Sequence, residues 1–345
     1  VSDSPRILVT GASGFIGRHL VRKLAQEGYR VRAASRQPVV FDDPRIEGIA
    51  LGDMARSFAA EYVVRGVDVV VHAAGMAHAR PGIPDAAYTA INVDATRQLA
   101  RAARAARVKR FMLMSSIRAL VGARHSSVVT EDTPPEPTDA YGRSKLAAEG
   151  VTADVLSGSA TRWTVLRPVL VYGPEVKGNM AALMRLAARP VPLPFGAIKG
   201  RRSLLSIGNL LAAVEHSLSS PGTEDASFVV ADEGAVTLAE IVAAVRAGRG
   251  RRAMLVPVPE AALAGALRMA GRPGVADRLT GELVVDAARL RATGWVSREG
   301  TISALAAAAR EEMTRAVKPR GIAIDRGGGL SYVSSHGRTS DRYDT

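Results

Sequence analysis

Thr10-Gly-Ala-Ser-Gly-Phe-Ile-Gly17 decides the fold. The apolar run Arg6-Ile-Leu-Val-Thr10 leads into it and reads as a short buried strand. His19 to Glu27 then continues at helical period, and Tyr29-Arg-Val-Arg-Ala-Ala-Ser35 is a second strand. Strand, glycine turn, helix and strand within about thirty residues form the βαβ unit that a dinucleotide fingerprint requires. Gly11 permits the tight turn, Gly14 lets a pyrophosphate approach backbone amides, and Gly17 allows the helix to pack closely on the strand. Ser13, Phe15 and Ile16 complete the turn, and the helix N-terminus offers partial positive charge to phosphates.

The second signal is Asp139-Ala-Tyr-Gly-Arg-Ser-Lys145. On a helix, Tyr141 and Lys145 lie one turn apart on one face. A lysine ammonium so placed is expected to favour tyrosinate over tyrosine. Such a phenol exchanges a proton with a sugar or alcohol oxygen near neutral pH. Ser115-Ser116 ends the strand-like run Lys109-Arg-Phe-Met-Leu-Met114, so that a serine hydroxyl and the phenol reach one substrate oxygen. Read alone, a Ser-Ser pair at a strand end also serves to satisfy backbone groups.

Elsewhere apolar runs alternate with helical segments. Ile46-Glu-Gly-Ile-Ala-Leu51 ends at Gly52-Asp53-Met54, and Val67-Asp-Val-Val-Val-His72 ends at Ala73-Ala-Gly75. A helix is expected from Ala87 to Ala105, carrying Asn92, and Trp163-Thr-Val-Leu-Arg-Pro168 is a further strand. The pattern predicts an α/β fold, a Rossmann-type doubly wound parallel sheet with ligands at the carboxyl ends of its strands.

Beyond Pro174 the texture changes. Lys177-Gly-Asn179, a short helix to Ala188, Pro190 to Pro194 and Gly196 to Ser203 read as loop-rich cover. Ser206 to Ser219 and Ser227 to Ala231 return to the main sheet. Thr237 to Ala247, Pro259 to Ala270 and Thr301 to Val317 read as amphipathic helices of a smaller C-terminal, substrate-binding lobe. The expected division is a dinucleotide-binding domain over 1–175 plus about 205–235, and a lobe over 176–204 and 236–317. Residues 318–345, with Gly327-Gly-Gly329, are expected to be a disordered tail.

Composition narrows the partners. The 345 residues include no cysteine, which excludes disulfides, thiolate nucleophiles and cysteine metal sites. Six scattered histidines show no ligand spacing, so no metal is expected. No apolar run approaches the roughly twenty residues of a bilayer span, and Val1 to Pro5 lacks a signal-peptide core. The expectation is a cytoplasmic protein without a membrane partner. Net charge is +13, but the arginines are dispersed and aromatics make up only 4%, too few for stacking platforms, so no nucleic acid is expected.

Taken together, these motifs resemble the short-chain dehydrogenase/reductase superfamily. The likeness is to its extended branch, the NAD-dependent epimerase/dehydratase family of nucleotide-sugar epimerases, dehydratases and reductases. The glycine spacing is Gly-x-x-Gly-x-x-Gly, and the resemblance runs from about Arg6 to Met313, including Leu166-Arg-Pro168 followed by Val171-Tyr-Gly-Pro174. It implies a catalytic trio of Ser116, Tyr141 and Lys145, with Ser115 lining the nicotinamide or taking the role of Ser116. Lys145 would also bond the nicotinamide ribose, and Pro168 would flank the carboxamide. Asp53 would contact adenine, although alone it reads equally as a helix cap. Ala73, Ala74 and Gly75 are small where the cofactor would pass, and Met54 and Asn92 complete the expected cofactor contacts. Arg36 stands where an acidic residue would hold a ribose 2′-hydroxyl. NADP(H) is therefore expected ahead of NAD(H), unless Arg36 only stacks on adenine.

For substrate, Asn179, Arg202 (or its neighbour Arg201) and Arg278 are the candidate ligands of a nucleotide diphosphate sugar, since a guanidinium matches phosphate oxygens. Ile117-Arg118 follows Ser116 where sugar 4,6-dehydratases of this branch carry an Asp-Glu pair, so dehydration is not expected. The resemblance points to a UDP-sugar substrate, first to reduction of a UDP-4-keto-6-deoxy-N-acetylhexosamine for surface polysaccharide synthesis. A UDP-hexose 4-epimerase with retained NAD+ is the alternative, and a dinucleotide-sensing regulator without catalysis is a third. A homodimer through the two long helices is expected from the relatives.

Overall fold

The computed structural model describes residues 4–56, 58–77, 82–271, 279–317, 322–324 and 330–332. Its centre is a sheet of seven parallel strands: β1 (Arg6–Thr10), β2 (Arg30–Ser35), β3 (Ile46–Ala50), β4 (Val69–His72), β5 (Arg110–Met114), β6 (Arg162–Pro168) and β10 (Ala226–Val230). The spatial order is β3-β2-β1-β4-β5-β6-β10. The central strands are buried on both faces, so they read as continuous apolar runs instead of alternating ones.

Alternate strand residues face opposite layers. Ile7, Val9, Val31, Val71 and Met112 pack with Leu20, Val21 and Leu24 of α1 (Phe15–Gln26) and with Leu210 and Val214 of α7 (Ile207–Ser219). Leu8, Val70, Phe111, Leu113 and Val165 pack on the other side with α2 (Ala60–Val64), α4 (Ala95–Ala105) and α5 (Ala140–Leu156). Burying a Leu or Val side chain contributes about 1.5–3 kcal/mol, and these two layers hold the sheet rigid. Strand order reverses between β1 and β4, and the crevice for a ligand opens at the carboxyl ends of Thr10 and His72.

A third apolar cluster joins Tyr172, Met180, Met184, Phe195, Ile241, Val245 and Leu305. It is built by β7 (Leu170–Tyr172), α6 (Gly178–Ala187), α8 (Leu238–Gly248) and the helix Thr301–Val317, with α9 (Glu260–Met269) along its edge. A capping box starts α8: the Thr237 hydroxyl accepts from Glu240 N, and the Glu240 carboxylate accepts from Thr237 N.

Three segments differ from the sequence reading. The expected helix Ala87–Ala105 is divided into α3 (Asp85–Tyr88), a wider π turn over Thr89–Asp94, and α4. Period alone cannot register the extra residue in that turn. The supposed loop Gly196–Ser203 holds β8 (Arg201–Arg202), paired antiparallel with β11 (Val236–Thr237), while β9 (Leu204–Ser206) runs parallel to β7. Within 318–345, expected to be disordered, β12 (Ile322–Ile324) and β13 (Leu330–Tyr332) pair antiparallel. The glycine run Gly327-Gly-Gly329 lies outside the described residues.

Candidate active site

Sterics fix the glycine turn. Gly11 has φ +73°, and a Cβ there would sit 2.8 Å from Ala74 N. At Gly17 a Cβ would press to 2.7 Å from Gly11 C, so α1 meets the turn backbone to backbone. Gly14 is the N-cap of α1, with no side-chain cap and no acidic residue in the first turn. By contrast, Asp139 caps α5 by accepting from Gly142 N at 2.8 Å. The α1 terminus thus has no side-chain cap of its own. Ser13 is exposed at the turn, and Phe15 and Ile16 pack partly against the sheet core. Arg36 is exposed directly after β2. Asp53 is exposed and accepts from Ala55 N at 3.1 Å within a turn, so it does not serve as the helix cap of its other reading, α2 being capped by Ala59; Met54 leans on the second layer.

The switch point is braced by polar side chains. The Thr10 hydroxyl accepts from Ala74 N at 3.2 Å and lies 2.7 Å from His72 Nδ1. His72 Nε2 is 3.0 Å from the Thr96 hydroxyl. Burial, with the Lys145 charge adding to it, pushes His72 down to about 3, so the ring is neutral. Ala73 and Ala74 follow β4, and Asn92 secures the next turn. Its Oδ1 accepts from Met76 N at 2.8 Å, and its Nδ2 donates to Met76 O at 3.2 Å and to the Ser144 hydroxyl at 2.8 Å. A Cβ on Gly75 would lie 2.8 Å from Asn92 Oδ1 and 3.2 Å from Lys145 Nζ, so a side chain there would displace one of these two polar groups.

Ser116, Tyr141 and Lys145 meet beside that corner. Ser116 leaves β5 and caps a short 3-10 turn, its hydroxyl accepting from Arg118 N at 3.2 Å. The side chains of Tyr141 and Ser116 are hydrogen-bonded. Loss of water around the phenol raises its pKa, the Ser116 bond lowers it, Asp139 raises it and Arg118 lowers it. Lys145 donates from Nζ to Met114 O at 2.9 Å and is buried. Burial brings its pKa down to about 8, opposed by Glu149. Ser116 and Arg118 are the groups that lower the phenol, and the Lys145 ammonium, one helical turn along α5, has Nζ on Met114 O. Ser115 points elsewhere, donating to the Glu149 carboxylate, which leaves Ser116 facing the phenol.

Several site residues escaped the sequence reading. Arg167 holds Glu149 with Nη2 to Oε2 at 2.7 Å and Nε to Oε2 at 3.0 Å, both side chains being buried. Arg118 pairs with Asp139 at 2.5 Å and so faces the N-terminus of α5. Gly142 matters because a Cβ there would collide with Arg118 O. An arginine inside an otherwise apolar strand, and a glutamate one turn past Lys145, were the available signals.

The substrate candidates are less gathered. Asn179 is exposed in the first turn of α6. Arg202 donates from Nη2 to Gly281 O at 2.6 Å, yet its buried Nε has no partner, and burial lowers its pKa. Its neighbour Arg201 is exposed and turned to Ala235 O at 3.2 Å. Arg278 lies outside the described residues. Pro168 closes β6 in register with Val230. Among the described residues no group of acidic or imidazole side chains is arranged to hold a metal, and no helix is long and apolar enough to cross a membrane.

Residues 7–231 match the NAD dependent epimerase/dehydratase family. The chain is 36% identical over 300 residues to a UDP-glucose 4-epimerase of Vibrio cholerae, covering 84% of this chain and 90% of that protein. It is 31% identical over 268 residues to a ceramide reductase of Caulobacter vibrioides, covering 76% of each. Among solved structures, MoeE5 in complex with UDP-glucose and NAD superposes with a TM-score of 0.71 at 25% identity, over 90% of this chain and 99% of that one.

Proposed function

The chain belongs to the NAD-dependent epimerase/dehydratase family, and we propose that it is a UDP-hexose 4-epimerase working through a nicotinamide dinucleotide. The observation that carries this reading is the Ser116–Tyr141 hydrogen bond beside Lys145 at the carboxyl edge of the sheet, next to the point where strand order reverses. The sequence reading put reduction of a 4-keto sugar first. The likeness to a UDP-glucose 4-epimerase over most of both chains reverses that order.

The residues present fit the dinucleotide. The uncapped α1 terminus at Gly14 suits a pyrophosphate, and the corner at Gly75 is a cradle that a single Cβ would fill. Gly11, Ser13, Gly14, Phe15, Ile16 and Gly17 would hold the phosphates; Arg36, Asp53 and Met54 the adenosine; Ala73 to Gly75, Asn92, Ser115, Lys145 and Pro168 the nicotinamide half. When bound, the nicotinamide supplies reversible two-electron oxidation at C4 of the sugar. Tyr141, ionised as tyrosinate, would accept the proton of the C4 hydroxyl at Oη and, as the neutral phenol, return it to the same oxygen. Ser116 donates a hydrogen bond to that oxygen and steadies the charge that develops there. Lys145 keeps positive charge close to the phenol's side of the cleft. Arg202, with its free Nε, is the better diphosphate clamp of the two adjacent arginines. We assign the sheet, 1–175 with about 205–235, to the cofactor, and 176–204 with 236–317 to the sugar nucleotide.

A reductase is kept as the second reading because Arg36, exposed at the end of β2 without a neighbouring acid, suits a 2′-phosphate and thus an exchangeable NADPH. The experiment is to denature purified protein, identify any released nucleotide, and incubate fresh protein with UDP-glucose and with a UDP-4-keto-6-deoxy-N-acetylhexosamine plus NADPH. Interconversion of UDP-glucose and UDP-galactose without net cofactor consumption supports the epimerase. Stoichiometric NADPH consumption with the keto sugar alone hands the case to the reductase.

A further inference from the structure

Arg246, in α8, is buried, and its guanidinium is given to backbone carbonyls. Nε donates to Ala187 O at 2.9 Å, Nη2 to Arg189 O at 3.0 Å and Val191 O at 2.7 Å, and Nη1 to Met254 O at 3.2 Å and to Ala253 O. These carbonyls belong to two segments, one after α6 and one after α8. Leu193 joins the same segments again, its N donating to Met254 O at 3.0 Å and its O accepting from Val256 N at 2.9 Å. Arg251 adds a bond to Ala188 O. A buried charge is costly unless it is fully hydrogen-bonded, and here it welds two loops into one rigid surface.

What that surface turns to solvent is apolar and cationic. Val191, Met254 and Val256 are between 43% and 47% exposed, while Leu193 and Leu255 turn inward to the third apolar cluster. Met254 stands on left-handed backbone, φ +46°, which a non-glycine residue seldom adopts. Helix α9 follows directly; Ala264 is its buried residue, and Met269 at its end is 87% exposed. A helix of ten residues depends on packing for its stability. Arg185, Arg189, Arg251 and Arg252 are exposed on the same two segments. Residues 176–214 carry six Lys or Arg and residues 241–259 four more, without one Asp or Glu, so the field over this face is positive. Glu312 answers Arg249 at 3.1 Å from the helix Thr301–Val317.

Exposed apolar side chains beside guanidinium groups suit a bilayer surface, where the first enter the acyl boundary and the second meet lipid phosphates. We propose that this face of the C-terminal lobe docks the protein on an anionic phospholipid surface, with Val191, Met254 and Val256 entering the headgroup layer. The docking is independent of which sugar the active site takes. The expectation of no membrane partner concerns spanning runs, and lying on a surface requires none.

The test is sedimentation of the full chain with vesicles of phosphatidylglycerol and phosphatidylethanolamine, against vesicles of phosphatidylcholine alone. Binding to the first and not to the second is expected. Arg251→Ser with Arg252→Ser should lower the partition coefficient by roughly thirtyfold, about a factor of five for each arginine. Met254→Asn with Val256→Ser keeps the charge and gives the left-handed position a residue that tolerates it; it should lower partitioning by about tenfold or more. Arg101→Ser with Arg104→Ser removes the same charge from α4, away from the lobe, and should leave partitioning unchanged. Urea denaturation checks that each variant is folded, and Val191→Ser replaces the Met254 pair if that one is not. Absence of binding to the anionic vesicles overturns the proposal. So does an equal loss from the α4 pair, which would show general basicity at work, and so does full binding by the apolar variants, which would show that nothing enters the headgroup layer.

Discussion

Replacing Gly142 by alanine tests whether the site depends on how closely α5 meets the turn after β5. A Cβ at Gly142 would lie 3.0 Å from Pro137 Cβ and 3.3 Å from Arg118 C, and closer still to Arg118 O. Ordinary carbon–oxygen contact begins near 3.3 Å, at about the length of a weak C–H···O contact. Clearing the carbonyl therefore needs α5 to withdraw by about 1 Å, and Pro137 closes the sideways escape. Ser116 sits just before that turn and Tyr141 just before Gly142, so the withdrawal is spent on the distance between the two hydroxyls. Overpacking costs about 1–3 kcal/mol, while replacing glycine by alanine in a helix returns about 1 kcal/mol. The net loss of stability is thus about 0–2 kcal/mol. A misplacement of about 1 Å at reacting groups lowers rates by about a hundredfold. Urea denaturation and kcat for UDP-glucose/UDP-galactose interconversion, measured together, should show a rate loss far beyond the stability loss. A folded Gly142→Ala protein with kcat within about threefold of wild type would refute the reasoning, because it would show that the contact sets nothing at Tyr141.

Other expectations follow from the same geometry. Tyr141→Phe should lower kcat by roughly 10²–10⁴-fold while dinucleotide affinity, followed by fluorescence titration, stays; a binding-only sensor would lose nothing. Gly17→Ala should cost about 1–3 kcal/mol in urea denaturation, since its Cβ would press to 3.0 Å from Ala12 Cα as well as on Gly11. His72 is pushed down to about 3 in the folded protein from an ordinary 6.5. The unfolded chain therefore takes up a proton at His72 that the folded one refuses. The stability it confers is complete above pH 6.5 and is lost as pH falls toward 3, at up to about 1.4 kcal/mol per pH unit. His72→Gln should flatten that slope, and parallel slopes for the two proteins would contradict the assignment. Arg36→Glu should raise the Kd for NADP relative to NAD by about tenfold or more, the loss of one charge-assisted bond; an unchanged ratio would mean that Arg36 selects nothing.

The strands and the glycine turn were legible because their signals are local. Ile7 to Val9 and Val69 to Val71 are apolar runs buried on both faces, and Gly11 and Gly17 sit where a Cβ has no room. Tyr141 and Lys145 were legible through helical spacing. What was not legible depends on partners distant in sequence. Glu149 reads as a surface residue until Arg167 and Ser115 are brought to it, and the hold of Asn92 on Met76 and Ser144 could not be read from its place on a helix, although Asn92 itself was named as a cofactor contact. The π turn at Thr89–Asp94 adds a residue without changing the apolar pattern enough to be seen. Arg201 and Arg202 were interchangeable on paper, and only the sheet pairing turned one outward and left the other an unpartnered Nε.

The seventh strand has a consequence for synthesis of the chain. β10 pairs with β6 from Thr164↔Ala226 to Pro168↔Val230, about sixty residues later in translation. Arg110, at the start of β5, waits longer, 110 residues for its bond to Ser220 O at 3.0 Å and 114 for that to Glu224 at 2.6 Å. At roughly 5–20 residues per second, the ribosome leaves β6 an open edge for about 3–12 seconds. An unpaired parallel edge is a template for another chain, so crowding of nascent copies on one messenger should be the protein's most vulnerable moment.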